Sequence, residues 1–287
     1  MKRSVRPQDR IGAVLVRCGI TGYGFLPIAE TDILRPDLLP EGVRSVVLML
    51  APYDTKQSYS DGVSRYAHVL DYHRFFGNLF ADVLPVLRKM YPDDSFYGFS
   101  DHSPINEKTA AAKAGLGVIG KNSLLISNRY GSYVFIGGIL TTLEMDCRPE
   151  EVRHCCGCGL CVQACPVGAI SEDGSICQER CLSALSQKRN LTDEEKRTLV
   201  RHHTAWGCDI CQENCPMNRF REPTCIPYFQ TERHGDFTYR EVLAMPDDAF
   251  LRYAFSWRGR NRITENLKNL EEDVLADRSA KCGKEPI

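Results

Sequence analysis

The sequence predicts a mixed helix-and-strand fold of class α/β (α+β), followed by a cysteine-rich segment and a short helical C-terminal segment. Three observations predict it. Short apolar runs alternate with helical periodicity in the first half, the cysteines are crowded into one stretch, and short helical patterns follow that stretch. We therefore predict three regions, at residues 1–146, 147–220 and 221–287.

Two strands and a long helix are predicted early in the first region. The apolar run Ser45–Tyr53 is typical of a buried strand, and Ser95–Phe99 predicts a second one. Between them, apolar residues recur at helical spacing over Tyr66–Leu87, which predicts a helix that bends or ends near Pro85.

A helix and a hairpin are predicted next. Ser103-Pro104 is typical of a helix start, and Gly115 suits its C-terminal cap. The runs Ser123–Ser127 and Ser132–Thr142 flank a turn that ends in Gly131, which predicts that the two runs pair. Further along the chain, helices are predicted over three segments: Asp193–His203, Tyr239–Met245 and Asp247–Phe255.

The composition is that of an ordinary globular protein. The 287 residues are 43% hydrophobic and 25% charged, with a net charge of −1. A strongly basic, histone-like binder is therefore excluded, although a local basic patch is not. The apolar stretch after the charged N-terminus is too short for a signal peptide, and the longest apolar runs have the length of a strand. We expect a cytoplasmic protein without a membrane span, whose thiols stay reduced and can hold metal.

The cysteines carry the strongest signal. Eleven of 14 lie between residues 147 and 215, and the first run reads Cys155-x2-Cys158-x2-Cys161-x3-Cys165-Pro166. This spacing matches the bacterial ferredoxin run, in which three thiolates hold one [4Fe–4S] cube and the fourth ligates the other cluster. It therefore predicts a ferredoxin-like domain with two clusters.

A second half follows as Cys208-x2-Cys211-x3-Cys215-Pro216, and its missing member lies upstream, as Cys181 or Cys177. Because the fourth cysteine of each run ligates the other cluster, two sets of four ligands are predicted. Cluster one takes Cys155, Cys158, Cys161 and Cys215. Cluster two takes Cys165, Cys208, Cys211 and, preferably, Cys181.

The remaining cysteines are predicted to be ordinary thiols: Cys18, Cys147, Cys156, Cys177, Cys225 and Cys282. Structural zinc is the alternative for the whole set, because zinc also uses C-x2-C pairs. Two ferredoxin-type runs, each followed by proline, favour iron–sulfur clusters. Two cubes indicate electron transfer, and the long remainder of the chain must then bind whatever accepts the electrons.

Other motifs resemble those of the epoxyqueuosine reductases. The resemblance runs from about Ser45 to Phe220 and is specific at the cysteines and at the GLGVIGKN stretch, Gly115–Asn122. The remaining matching segments are Arg65-Tyr66-Ala67, Asp71-Tyr72-His73, Asp101-x2-Pro104, Arg180-Cys181-Leu182-Ser183 and Trp206–Gln212.

The resemblance implies a function. Members of that family carry cobalamin and two [4Fe–4S] clusters, and they remove the epoxide oxygen from epoxyqueuosine at the tRNA wobble position. It therefore implies a cobalamin-binding first region, an oxidoreductase activity, tRNA as a partner and a low-potential electron donor. We expect a monomer that needs no membrane. Reductive dehalogenases share a related cobalamin fold.

The resemblance also assigns site residues. Asp101 matches the proton donor proposed for the family, and an apolar pocket would raise its pKa as that role requires; a helix cap is the structural alternative. The residues that match the family's cobalamin-binding motifs are Tyr66, Asp101, Lys121, Asn122, Ser183 and Asp209. Each has a structural alternative, such as a core position for Tyr66 or a turn for Asn122. His73 is predicted to be a core histidine rather than a cobalt ligand.

Basic and aromatic residues near the C-terminus predict a tRNA surface. Arg258, Arg260 and Arg262 are interleaved with aromatic residues, a mixture that suits phosphate contact and base stacking. Lys188 and Arg189 form a smaller predicted patch. The alternative is a solvated arginine face over an aromatic core.

Two other functions stay open on the sequence. One is a different cobalamin and iron–sulfur reductase, such as a dehalogenase-like enzyme or a corrinoid-protein reactivator. The other is a ferredoxin-type electron-transfer protein with two clusters and no chemistry of its own.

Overall fold

The computed structural model describes residues 6–231 and 233–282, with side chains up to residue 273. Its strands are β1 (Gly22–Pro27), β2 (Ser45–Pro52), β3 (Phe96–Ser100), β4 (Val118–Ile119), β5 (Leu125–Ile126) and β6 (Val134–Thr141). Its helices are α1 (Pro7–Arg17), α2 (Tyr72–Met90), α3 (Glu107–Lys113), α4 (Leu160–Ala164), α5 (Leu182–Ser186), α6 (Asp193–Arg201), α7 (Ile210–Glu213), α8 (Pro227–Thr231), α9 (Tyr239–Ala244), α10 (Asp247–Phe250) and α11 (Arg260–Cys282).

The chain divides into two compact units, each built from separated segments. Unit 1 comprises residues 1–55, 72–158 and 216–228, and unit 2 comprises residues 56–71, 159–215 and 229–287. This division differs from the predicted boundaries at residues 146 and 220. The C-terminal segment and the excursion 56–71 share one core with the chain before Cys208, and such long-range packing leaves no local mark in the sequence.

Unit 1 is built on a four-stranded sheet in the order β1-β2-β6-β3, with every pairing antiparallel. All eight residues of β2 are buried, as the apolar run predicts. Adjacent positions of this strand point to opposite faces. One face lies under α3, where Gly24 leaves room for Ala114, and the other lies under α2, where Gly137 leaves room for Phe76.

Helix α2 begins later than the helical spacing predicts and runs through its proline. A 3₁₀ turn at Arg65–Ala67 precedes it in the chain, and Pro85 lies inside the helix, which ends at Met90. The buried positions Phe76, Leu79, Val83 and Leu87 follow one helical face. The packing of that face keeps the helix continuous beyond Pro85.

The predicted hairpin between Ser123–Ser127 and Ser132–Thr142 is wrong. Strand β5 pairs with β4, whereas β6 pairs with β2 and β3 in the main sheet. The turn itself exists, because Ser127 and Gly131 exchange backbone hydrogen bonds, and Gly131 has a φ of 60°. Helix α3 also starts after the expected Pro104: Asn106 caps it by accepting from the Thr109 amide.

Unit 2 has an aromatic core and short helices. Its fully buried residues include Trp206, Phe255 and Ile263. Helix α6 begins with a capping box between Thr192 and Glu195, close to the predicted start. In α11, the buried Asn266 amide donates to two main-chain carbonyls, those of Ser186 and Ala205. This bond pair ties the C-terminal helix to the cysteine-rich segment.

Among the described residues, no helix has both the length and the apolar character that crossing a membrane requires.

Candidate active site

A cavity of about 190 Å³ lies in unit 1 beside the edge where β3 ends. Its wall comes from the start of α2, the loop after β3, the start of α3 and the strands β5 and β6. The lining residues that carry a polar group are Tyr72, Asp101, Glu107, Lys108 and Ser132. The others are apolar: Leu124, Leu125, Val134, Phe135 and Ile136. The cavity thus holds two carboxyl groups against an apolar wall.

Asp101 follows β3 directly and has a φ of 67°, in the region that favours glycine. Its carboxylate accepts a hydrogen bond from the Tyr72 hydroxyl at 3.2 Å and lies 3.6 Å from Nε2 of His73. The nearby His73 imidazole, and then the hydrogen bond from Tyr72, hold the pKa of Asp101 below its usual range against the opposing effect of burial. The Asp101 side chain is 68% exposed, so the raised pKa that the resemblance implies for an apolar pocket beside the corrin stays a prediction.

Glu107, the first residue of α3, has the opposite environment. Its Oε1 atom is buried and has no hydrogen-bond partner among the described residues. Burial raises the pKa of Glu107 to about 7, although a hydrogen bond from Ser103 opposes the change. One cavity therefore contains a carboxyl group with a lowered pKa and another whose pKa of about 7 leaves it partly protonated at neutral pH. This arrangement separates the acid from the base.

The sequence reasoning missed Tyr72, His73 and Glu107 as members of this site. His73 lies on the surface of α2 and faces Asp101, rather than in the core as predicted. His102 is next to Asp101 in the chain but bonds to the Arg35 guanidinium instead. Glu107 lies three residues after the Asp101-x2-Pro104 motif, so its place near Asp101 in the sequence is the signal for it.

The GLGVIGKN stretch forms the β4 strand and the tight connection to β5. A Cβ at Gly117 would lie 2.5 Å from the Ile126 carbonyl oxygen, so the close approach of the two strands requires glycine there. Asn122 is buried, and its Nδ2 atom has no partner in the described part of the chain. Lys121 precedes it at a half-buried position. The Asn122 amide is thus a donor still able to bind a ligand.

In unit 2, the predicted cofactor residues have internal partners. The Tyr66 hydroxyl accepts from Nε1 of Trp206 at 2.8 Å. The Asp209 carboxylate accepts from the Ser64 hydroxyl at 2.7 Å, from the Arg65 amide at 2.7 Å and from the side-chain amide of Gln212 at 2.8 Å. Burial raises the pKa of Asp209. These bonds hold the 64–66 segment against the chain that carries Cys208 and Cys211.

Ser183 is the second residue of α5, whose N-cap is Cys181. The Ser183 carbonyl accepts from the Ser186 hydroxyl and from the side-chain amide of Gln187. Ser183 therefore lies inside the helix and does not cap it.

The predicted cluster ligands are all free thiols. Cys155 and Cys158 belong to unit 1, and the other ligands belong to unit 2. Among residues 6–231 and 233–282, no group of three or more His, Cys, Asp or Glu side chains has the arrangement of a metal site, so the ligand sets stay predictions.

Two of the thiols that are assigned to the second cluster influence a third. Cys165 and Cys181 both disfavour ionisation of Cys208, whose pKa burial raises to about 12. The Ala169 amide also donates to the sulfur of Cys165 at 3.2 Å. A hydrogen bond of this kind suits a cluster thiolate.

The five predicted nucleic-acid residues differ in accessibility. Lys188 pairs with Glu195, and the neighbouring Arg189 is exposed. Arg258 lies 3.9 Å from the ring centre of Trp257, which is 58% exposed. By contrast, the guanidinium groups of Arg260 and Arg262 have internal partners: Asp247 for the first, Asn266 and Glu265 for the second.

Comparison with known proteins agrees with this architecture. A model of the 4Fe-4S double cluster binding domain matches residues 154–218. The epoxyqueuosine reductase of Lactococcus garvieae is 32% identical over 82% of this chain and 70% of that protein. The chain belongs to the epoxyqueuosine reductase family. It is also 34% identical to the Synechocystis enzyme over 79% of this chain and 81% of that protein, and 36% identical to the Gloeobacter violaceus enzyme over 62% and 57%.

Solved structures share the fold. The epoxyqueuosine reductase of Streptococcus thermophilus is 25% identical with a TM-score of 0.76, over 92% of this chain and 80% of that one. An epoxyqueuosine reductase bound to an epoxyqueuosine-modified tRNA stem loop is 23% identical with a TM-score of 0.78, over the same shares. A B12-dependent reductive dehalogenase is 19% identical with a TM-score of 0.52, over 91% of this chain and 37% of that one.

Proposed function

We propose that this protein is an epoxyqueuosine reductase that deoxygenates epoxyqueuosine to queuosine at the wobble position of tRNA. The observation that carries the proposal is its membership of that family over most of the chain. A structure of the same fold holds an epoxyqueuosine-modified tRNA stem loop, which supports tRNA as the substrate. The carboxyl-bearing cavity supplies proton-transfer groups for such a reduction.

The family implies cobalamin, and the donors of unit 1 suit it. In unit 1, the buried Asn122 amide offers a donor without a partner, Lys121 is adjacent, and Asp101 lies in the cavity. Tyr66, Ser183 and Asp209 of unit 2 complete the proposed contacts. When bound, reduced cobalamin supplies a strong nucleophile that can apply two electrons to carbon.

Two [4Fe–4S] clusters are proposed to feed these electrons in from a low-potential donor. The first is proposed to be held by Cys155, Cys158, Cys161 and Cys215. The second is proposed to be held by Cys165, Cys181, Cys208 and Cys211. The influence of Cys165 and Cys181 on Cys208 supports the second set. Cys177 is the weaker choice, because its thiol bonds to Arg180 instead.

Asp101 is proposed to transfer a proton to the oxygen that leaves. Its position in the cavity supports this role, and the hydrogen bond from Tyr72, with His73 beside it, fixes its orientation. An ionised carboxylate has no proton to give, so Asp101 must be protonated before it acts.

Contact with tRNA is proposed for the accessible basic residues, Lys188, Arg189 and Arg258. The exposed Trp257 ring beside Arg258 offers a stacking surface. Arg262, which the sequence also suggests, is buried, and Arg260 is half-buried and paired with Asp247. Both are proposed to support the surface from beneath. We further propose that the enzyme works as a monomer in the cytoplasm, without a membrane.

The test is reconstitution without oxygen. Purified protein is loaded with iron, sulfide and cobalamin, reduced with a low-potential viologen and mixed with epoxyqueuosine-tRNA. We expect queuosine-tRNA, together with spectra of both clusters and of the corrin. A loaded protein that leaves this tRNA unchanged but reduces an aryl halide would favour the dehalogenase-like alternative. Clusters without bound corrin would favour a plain electron-transfer protein.

A further inference from the structure

The chemistry of the proposed function needs two protons. Removing the oxygen of an epoxide breaks two C–O bonds and forms one C=C bond. The carbons gain two electrons from the low-potential donor, and the oxygen takes up two protons and leaves as water. A single carboxylic acid supplies only one of these protons in each cycle, so a second proton must enter the cavity.

Only one of the two carboxyl groups in the cavity is placed to hold that proton. Asp101 accepts a hydrogen bond from Tyr72, lies 3.6 Å from Nε2 of His73 and is mostly exposed, which favours its ionised form. Glu107 has a buried Oε1 atom that no described residue contacts by a hydrogen bond, and such an oxygen is costly to leave charged.

We propose that Glu107 is the proton store of this cavity and that it recharges Asp101 during each turnover. In this step, the O–H bond of Glu107 breaks, and the proton passes to the carboxylate of Asp101 directly or through water in the cavity. Glu107 is left as a carboxylate and takes a proton from solvent before the next cycle. This inference rests on the proposed function.

The groups around Glu107 are consistent with this role. The ionised Asp101 and the burial of Glu107 both favour its neutral form, whereas Arg35, Lys108 and the Ser103 hydroxyl favour its charged form. Burial dominates, so the pKa of Glu107 lies near 7 and the residue can both hold and release a proton at neutral pH. Tyr72 and Ser132 also line the cavity and can help to order a bridging water.

The test compares the pH profiles of the loaded wild-type enzyme, E107Q and E107D. The wild-type kcat on epoxyqueuosine-tRNA is expected to fall as pH rises through about 7. E107Q is expected to lose at least about tenfold in kcat and to lack that descending limb, with little change in KM. E107D keeps a carboxylic acid and is expected to retain a descending limb in its pH profile. E144Q is the control, since Glu144 pairs with Arg44 on the surface.

A second measurement does not depend on turnover. Difference infrared spectroscopy of the loaded protein is expected to show a neutral carboxylic acid band that disappears as pH rises through about 7 and is missing in E107Q but present in E144Q. If the infrared band were the same in the wild type and in E107Q, the proposal that Glu107 stores a proton would be overturned. An E107Q enzyme with the wild-type kcat and pH profile would also overturn it.

Failure of the proposed function gives a different pattern. In that case the wild-type enzyme leaves epoxyqueuosine-tRNA unchanged at every pH, and the recharging step is overturned with it. The infrared band then still decides whether Glu107 holds a proton in this cavity.

Discussion

At the scale of single residues, the cavity in unit 1 shows how surroundings separate two chemically similar groups. Asp101 meets a phenol and an imidazole, whereas Glu107 meets mainly apolar wall. The first stays ionised near neutral pH, whereas the second, with a pKa of about 7, stays partly protonated.

Asp101→Asn is expected to lower turnover of epoxyqueuosine-tRNA by about 10²–10⁴-fold, because an amide cannot transfer the proton. Iron content and corrin binding are expected to persist, since the substitution keeps the shape of the side chain. Single-turnover kinetics with parallel metal analysis would measure both. Near-normal turnover would remove Asp101 from the mechanism.

Glu107 also links stability to pH. Its native pKa of about 7 exceeds the ordinary value of 4.5, so between these pH values the folded protein binds a proton that the unfolded chain has released. The free energy of unfolding therefore falls as pH rises across this window, by at most about 3 kcal/mol from this group. E107Q has no carboxyl group at this position, so its free energy of unfolding does not fall in this way. We therefore expect the melting temperature of E107Q, minus that of the wild type, to be larger at pH 8 than at pH 5. An equal difference in melting temperature at both pH values would contradict the raised pKa of Glu107.

Cys181 and Cys177 form a matched pair for testing the ligand sets. Cys181 influences the buried Cys208 thiol, whereas Cys177 bonds to Arg180. Anaerobically reconstituted C177S is expected to hold about eight irons per chain, and C181S about four, since each cube contains four. Iron analysis and paramagnetic resonance would measure this difference. The reverse result would exchange the two assignments.

At the scale of elements, the connection between β4 and β5 depends on how closely two backbone segments approach. Gly117 faces the Ile126 carbonyl with no room for a methyl group. By contrast, Gly77 lies on the exposed side of α2 with open space around it. The two glycines therefore offer opposite outcomes for the same change.

Gly117→Ala is expected to destabilise the protein by about 1–3 kcal/mol, because the backbone must shift to admit the methyl group. The control Gly77→Ala is expected to stabilise it by about 0.5–1 kcal/mol, since alanine favours an exposed helix position. Urea unfolding of both variants would measure these values. An unchanged free energy of unfolding in Gly117→Ala would show that the backbone of the turn can shift to admit the methyl group.

At the scale of the whole molecule, the net charge of −1 gives no general attraction for nucleic acid. Binding of tRNA must therefore rely on local positive charge. Of the predicted basic residues, Lys188 and Arg189 are exposed, and the half-buried Arg258 lies beside the exposed Trp257.

Arg258→Ala is expected to weaken tRNA binding and to reduce the slope of log affinity against log salt by about 1, the value for one lost phosphate contact. Arg197→Ala is the control, because Arg197 pairs with Glu194 on the surface of α6. Binding titrations over a range of potassium chloride concentrations would measure the slope. An unchanged slope in Arg258→Ala would place the tRNA surface elsewhere.

Local sequence determined much of this protein. The apolar run predicts β2 within one residue, and the cysteine spacing and GLGVIGKN identify the family, because each depends on neighbouring residues alone. Only the tertiary structure decided the partner of β5, the burial of Arg262 and the contact of Asp101 with His73. These features join positions that are distant in the chain. The opposite protonation of Asp101 and Glu107 belongs to the same class, since desolvation depends on what folds around a carboxyl group rather than on its neighbours in sequence.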